Sequence, residues 1–277
     1  MFHMIKAEFS IAIRKRGFQI TFLGILAYIA IVTVYYIRQQ TGYDVSNLYH
    51  PAVLSGLNTD CEFSSTLYAL FPFIIIFPGS FLIFNDRKTQ INTYILPREG
   101  KMRYYIAKMT VCFLTTFLAM TLPFLMEILI NVLIFPQGGG KALSGFPIFA
   151  DDTLRGISRN LFGSLYVDHI YLYCVLSIGV FGIFSGCAAI FAMGISTFKI
   201  NYRVILLLPV FLVNWLCSMM GHLFSSVQFE TSWYAYLFFF GGYPDRNYLY
   251  FLLLALILLV AGILLVCING ILRKDEV

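Results

Sequence analysis

Charge is what this sequence has least of. Only 12% of its 277 residues are Asp, Glu, Lys or Arg, against 59% apolar, whereas soluble globular domains carry roughly 25% charged residues. With a mean hydropathy of +0.80, that scarcity excludes a soluble domain and predicts an integral membrane protein. Histidine is scarce as well. His3, His50, His169 and His222 are scattered, and neither an H-E-x-x-H pattern nor a G-x-S-x-G elbow occurs, so metal-assisted and nucleophilic hydrolysis lack their residues. Of six cysteines, Cys112, Cys174, Cys187, Cys217 and Cys267 fall in apolar segments, and Cys61 stands in a polar loop without an evident partner. No disulfide framework is expected. The net charge of +5 does not point to nucleic acid, because the basic residues flank apolar runs, where charge orients spans. Gly138-Gly139-Gly140-Lys141 looks like a phosphate loop, but that motif needs Gly where Phe135 stands and Ser or Thr where Ala142 stands.

What the chain has is apolar length. Six runs, at about 17–37, 67–84, 109–135, 170–198, 204–224 and 248–272, are each of a length to cross a hydrocarbon core of ~30 Å. They predict an all-α protein with one transmembrane domain over residues 1–277. No room is left for a soluble catalytic domain of ~100–150 residues, so any nucleotide-driven engine is expected on another chain. The first run lacks a small-x-small cleavage site and reads as an uncleaved span.

Ahead of that run, Phe2, Ile5, Phe9, Ala12 and Ile13 recur at helical spacing, with Lys6, Glu8, Ser10 and Arg14 between them. That is the pattern of an amphipathic helix in the membrane interface, over residues 1–16. Span two contains Pro72 and Pro78, each of which removes a helical hydrogen bond and predicts a kink or a broken turn suited to lining a path. Span three is interrupted by Pro123 and by Glu127, the only acid well inside a span. An ionisable group in hydrocarbon is by default a functional candidate, but Glu127 lies ~10 Å from the centre of its span, so a structural glutamate stands beside a substrate or proton site. In span four, Gly182 and Gly186 predict a closely packed face, within one subunit in preference to between two. In span five, Asn214 can present its amide to cargo or bond a neighbouring helix.

Between the spans, Pro136 to His169 is polar. Leu154, Ile157, Leu161, Phe162 and Leu165 follow Asp151 and Asp152 at helical spacing, which predicts a short helix on the outer surface. Ser225 to Asn247 is aromatic yet interrupted, as in a re-entrant or interfacial segment. Placing the N-terminus inside puts fourteen basic residues on the inner side and five on the outer, so both termini are expected in the cytoplasm of a bacterial plasma membrane.

The stretch Asn85 to Lys108 carries six basic residues and joins spans two and three. From Asp86 to Leu96 a short helix is expected, with Ile91, Tyr94 and Ile95 on one face, Arg87 and Lys88 on others, and Pro97 discouraging its continuation. Such a helix can enter a groove on a partner; a basic loop on anionic lipid is the other reading.

These two stretches resemble the permease subunits of ABC transporters of the ABC-2 type. The opening MIKAEFSIAIRKRGFQITFLGIL is similar to that family's start, an interfacial helix and basic cluster before span one. The loop after span two is similar to its coupling region, with an acidic and basic turn, a short helix, a proline and then Arg103-Tyr104-Tyr105-Ile106-Ala107-Lys108. The family often has Gly a few residues after the acidic position, where Thr89 and Gln90 stand here. The resemblance implies an exporter permease that binds no cofactor itself, with ATP and Mg on a cytoplasmic ATPase partner. A second permease subunit, identical or not, would complete a path lined by spans two and five. Asp86, Arg87, Lys88, Ile91, Tyr94 and Ile95 would couple to the ATPase, and Pro72, Pro78, Asn214 and Glu127 would border the path. The cargo is expected to be amphipathic or hydrophobic, such as a peptide antibiotic or a lipid-like compound, in contact with membrane lipids. The competing readings are a membrane enzyme acting on lipid or peptide, using Glu127, His169 or His222, and a scaffold or sensor without transport.

Overall fold

The apolar runs fold as helices, and among the described residues there is no β-strand, only isolated bridges. The computed structural model describes residues 2–158, 160–198, 202–223, 229–240 and 246–272. Helix α1 (Phe2–Arg14) precedes α2 (Arg16–Gln40), α3 (Ser64–Ile74), α4 (Leu82–Lys88), α5 (Asn92–Glu99) and α6 (Lys101–Ile134). The short α7 (Asp151–Ser158) and α8 (Leu165–Asp168) follow, then α9 (Ile170–Ile195), α10 (Leu208–Leu223), α11 (Trp233–Leu237) and α12 (Tyr248–Val266). Among the described residues four helices, α2, α6, α9 and α12, are long and apolar enough to cross a membrane, and α3 and α10 are shorter apolar helices.

Helix α9 is the centre of the bundle and packs most extensively on α6 and α12. Its glycines set those distances. A Cβ at Gly182 would lie 2.1 Å from Thr121 Cγ2 and one at Gly186 2.6 Å from the Phe113 ring, both on α6, so the small-residue face is used inside the chain. Above this contact the core is aromatic. Trp233 is fully buried, and Phe184 lies 4.9 Å from both Trp233 and Phe251.

Four expectations change. Pro123 does not interrupt the third run, which is one continuous helix from Lys101 to Ile134. It also starts eight residues before the apolar boundary at 109, because Lys, Met and Arg are good helix formers in water and continue the helix out of the apolar zone. The single helix expected over Asp86 to Leu96 is two, α4 and α5, joined by a turn in which Gln90 takes φ 56°, a conformation that favours glycine. Helix α5 then runs through Pro97; the ring's fixed φ suits a helix, and a short exposed helix tolerates the missing donor. The run containing Pro72 and Pro78 is broken, as expected, into α3 and α4 with turns between them. Helix α7 begins at Asp151. His222 and Arg203 have no described side chains, and 225–228 and 241–245 lie outside the described residues. Within the described part of the aromatic segment, Thr231, Trp233 and Ala235 to Phe240 are buried.

Candidate functional site

At one end of the bundle, four elements meet around a buried lysine. Lys108, on the second turn of α6 and 1% exposed, lies 2.6 Å from Glu8 Oε2 of α1 and 2.6 Å from Asp86 Oδ2 of α4. The Tyr104 hydroxyl, one turn earlier on α6, donates to the same Asp86 oxygen at 2.8 Å. An unpaired ammonium at this depth would cost several kcal/mol, roughly; two carboxylates and a tyrosine ring 5.4 Å away compensate it. Next to Asp86, Arg87 donates to the Thr197 carbonyl at 2.7 Å and to the Phe198 carbonyl, just past the end of α9. A cation there satisfies orphan carbonyls and meets the negative end of the helix dipole. Residues 86, 87 and 108 therefore tie α1, α4, α6 and the end of α9 into one body.

The expected coupling residues divide into two groups. Asp86 is 7% exposed and Arg87 half-buried, so neither is presented as a docking charge. Ile91 at 45% and Tyr94 at 80% are exposed, Ile95 is partly so, and Lys88 is exposed. The surface lies on the turn and on α5, and the buried root lies on α4. Sequence reading did not single out Glu8, Tyr104 or Lys108. Glu8 is the lone acid among the first sixteen residues, and that isolation was the available signal.

Beside this network the break after α3 leaves a cavity of about 550 Å³ lined by Ile20, Phe77, Pro78, Phe81, Leu82 and Val204, with Lys15 and Arg16 also on its wall. Burial holds the Lys15 ammonium below its usual pKa. The broken backbone is gripped closely. A Cβ at Gly17 would lie 2.3 Å from the Phe77 carbonyl oxygen, and one at Gly79 2.8 Å from Cys112. Pro78 thus borders the cavity, while Pro72 is buried inside α3.

At the other end Glu127 is fully buried, accepting from the Ser55 hydroxyl and the Gly56 amide, both at 2.8 Å. One turn on, Asn131 donates to the Leu54 carbonyl at 2.6 Å. Together they clamp the loop between α2 and α3, and that loop in turn bonds the aromatic segment, with Phe239 donating to Leu57 and Thr59 donating to Phe239. Both Glu127 oxygens are occupied by structure. Asn214 is 7% exposed and accepts from Tyr68, whose oxygen also lies 3.0 Å from Ser218 and 3.1 Å from Ser232; this polar knot joins α3, α10 and the residue before α11. His169 is exposed, and no group of three His, Cys, Asp or Glu able to hold a metal occurs among the described residues.

No curated protein and no solved structure matches this chain. A family match does exist, over residues 4–150 of the 277, the stretch that holds most of α1, the cavity wall apart from Val204 and Leu207, and the whole Glu8, Asp86, Lys108 network. The chain therefore belongs to the family described as ABC-2 family transporter proteins.

Proposed function

We propose that this multi-pass membrane permease is the transmembrane half of an ATP-driven exporter, pushed by a separate ATPase that docks on Ile91, Tyr94 and Ile95. The observation that carries the reading is the buried Lys108, which shares its charge between α1 and α4. A push on α5 reaches α4 through the Gln90 turn, α6 and α1 through Asp86 and Lys108, and the end of α9 through Arg87. Residues 64–88 and 203–223 complete six spans in this reading: Ser64 bonds Tyr234 and Thr59 near one end, whereas Asp86 joins Lys108 at the other. The α1 end is then cytoplasmic, with both termini inside, and the aromatic segment before α12 is the re-entrant element. The cavity beside Pro78, apolar with Lys15 and Arg16 on its wall, suits an amphipathic cargo, and two permease subunits would enclose the path between them. Occupation of both Glu127 oxygens speaks against the enzyme reading.

The test is capture of the ATPase chain in mild detergent. Tyr94→Glu places a charge on a side chain with no core contact to lose, and should abolish co-purification while the permease melts as before. Retention of the ATPase by Tyr94→Glu together with Ile91→Asp would contradict the docking surface.

A further inference from the structure

At the end of the bundle away from α1 lies a second cavity, of about 370 Å³, that the exporter reading does not use. It is lined by Gln39, Gln40, Tyr43, Asn47, Tyr49 and Lys141, with Gly145 at its edge. Among the described residues no acid lines it. Gln40 is 8% exposed, and neither its amide nitrogen nor its amide oxygen has a hydrogen-bond partner among the described residues. A buried amide with both halves unsatisfied is rare in native structures and marks a missing partner. Lys141 is held in register rather than left on a free loop. Its amide donates to the Leu48 carbonyl at 3.2 Å, and its carbonyl accepts from the His50 amide at 3.0 Å. No described acid pairs with its ammonium.

These groups specify a ligand in two parts. The Gln40 amide, one donor and one acceptor at the C-terminal end of α2, suits hydroxyls, which donate and accept and which tolerate the negative end of a helix dipole. The lone lysine, brought from another segment, suits a single anionic group such as a phosphate. The location agrees: α2 is membrane-length and ends at Gln40, which puts the cavity at headgroup depth, with Tyr43 exposed beside it as interfacial tyrosines are. We propose that this cavity binds a phosphoglycerol group, phosphate on Lys141 and hydroxyls on Gln40 and Asn47, either free or as the headgroup of phosphatidylglycerol.

The experiment titrates the purified full-length chain in neutral detergent with dihexanoyl phosphatidylglycerol, dihexanoyl phosphatidylcholine and sn-glycerol 3-phosphate, read by calorimetry. Phosphatidylglycerol should bind about tenfold more tightly than phosphatidylcholine through its hydroxyls, Asn47→Ala should erase most of that preference, and Lys141→Gln should weaken both lipids, which share the phosphate. Gln40→Leu should weaken binding by about fivefold; because its site is buried, the partly exposed Lys141→Gln and Asn47→Ala carry the test if it fails to fold. Glycerol 3-phosphate binding as tightly as the lipid supports the site with a soluble source, and binding by the lipid alone supports it with the membrane as source. Equal affinity for both lipids, or a phosphatidylglycerol affinity indifferent to Lys141→Gln and Asn47→Ala, would overturn it and leave the cavity to water.

Discussion

The two ends of this bundle bury polar groups in opposite ways. At the α1 end the buried groups are ions of both signs, contributed by three helices far apart in sequence. At the other end a carboxylate, Glu127, is satisfied by a hydroxyl and a backbone amide of one loop, with no cation beside it among the described residues. Shared ions bind separate elements so that moving one drags the others. A carboxylate on α6 that is bonded only to one distant loop holds that loop closed and transmits little. The contrast reads as a lever at one end and a clamp at the other.

Breaking the ionic side should have the largest effect. Lys108→Met leaves Glu8 and Asp86 facing each other without the ammonium, and should lower stability by about 3–5 kcal/mol, the cost of orphaning a buried charge, seen as an early melt in detergent. Breaking the neutral side is milder. Glu127→Gln keeps one acceptor but turns an NH2 toward a donor, and about 1–3 kcal/mol should be lost; reactivity of a thiol introduced by Leu57→Cys should rise at this end only. An unchanged melt with a reactive thiol at the α1 end instead would reverse the assignment of lever and clamp. The smallest change sharpens the lever itself. Gln90→Gly relieves the φ of 56° between α4 and α5 and should raise stability by up to about 1 kcal/mol, measured by chemical denaturation; a loss would mean that the Gln90 side chain has a role of its own.

Much of this was legible in the sequence, and the residues show why the rest was not. The four long helices follow from apolar length, although α6 starts eight residues before its apolar run, and the break in the second run falls at Pro78 while Pro72 stays inside α3. The amphipathic period of Phe2, Ile5 and Phe9 announced α1. What hydropathy hid was the first turns of α6, because Lys101 to Lys108 scores as loop although it is helical. Asp86 and Arg87 were expected at the ATPase docking surface from the family resemblance. Their partners are 22 and 110 residues away, and no local pattern reports a pairing at that separation. The same holds for Glu127, whose hydrogen-bond partners Ser55 and Gly56 lie 72 and 71 residues away. Gln90 occupies the place where a glycine was expected from the resemblance, and the backbone takes a glycine-like conformation there regardless.

The lever can be separated from simple stabilisation by neutralising all of it at once. Replacing a whole buried ionic cluster by apolar or neutral groups often leaves stability intact, so Glu8→Gln, Asp86→Asn and Lys108→Met combined should restore much of the melting temperature that Lys108→Met alone removes. The decisive quantity is cargo moved per ATP hydrolysed in proteoliposomes with the ATPase chain bound. Transport about tenfold below that of the unaltered chain, with ATP hydrolysis retained, is the outcome expected if motion passes through the shared charge. Undiminished transport per ATP by the folded triple variant would contradict it.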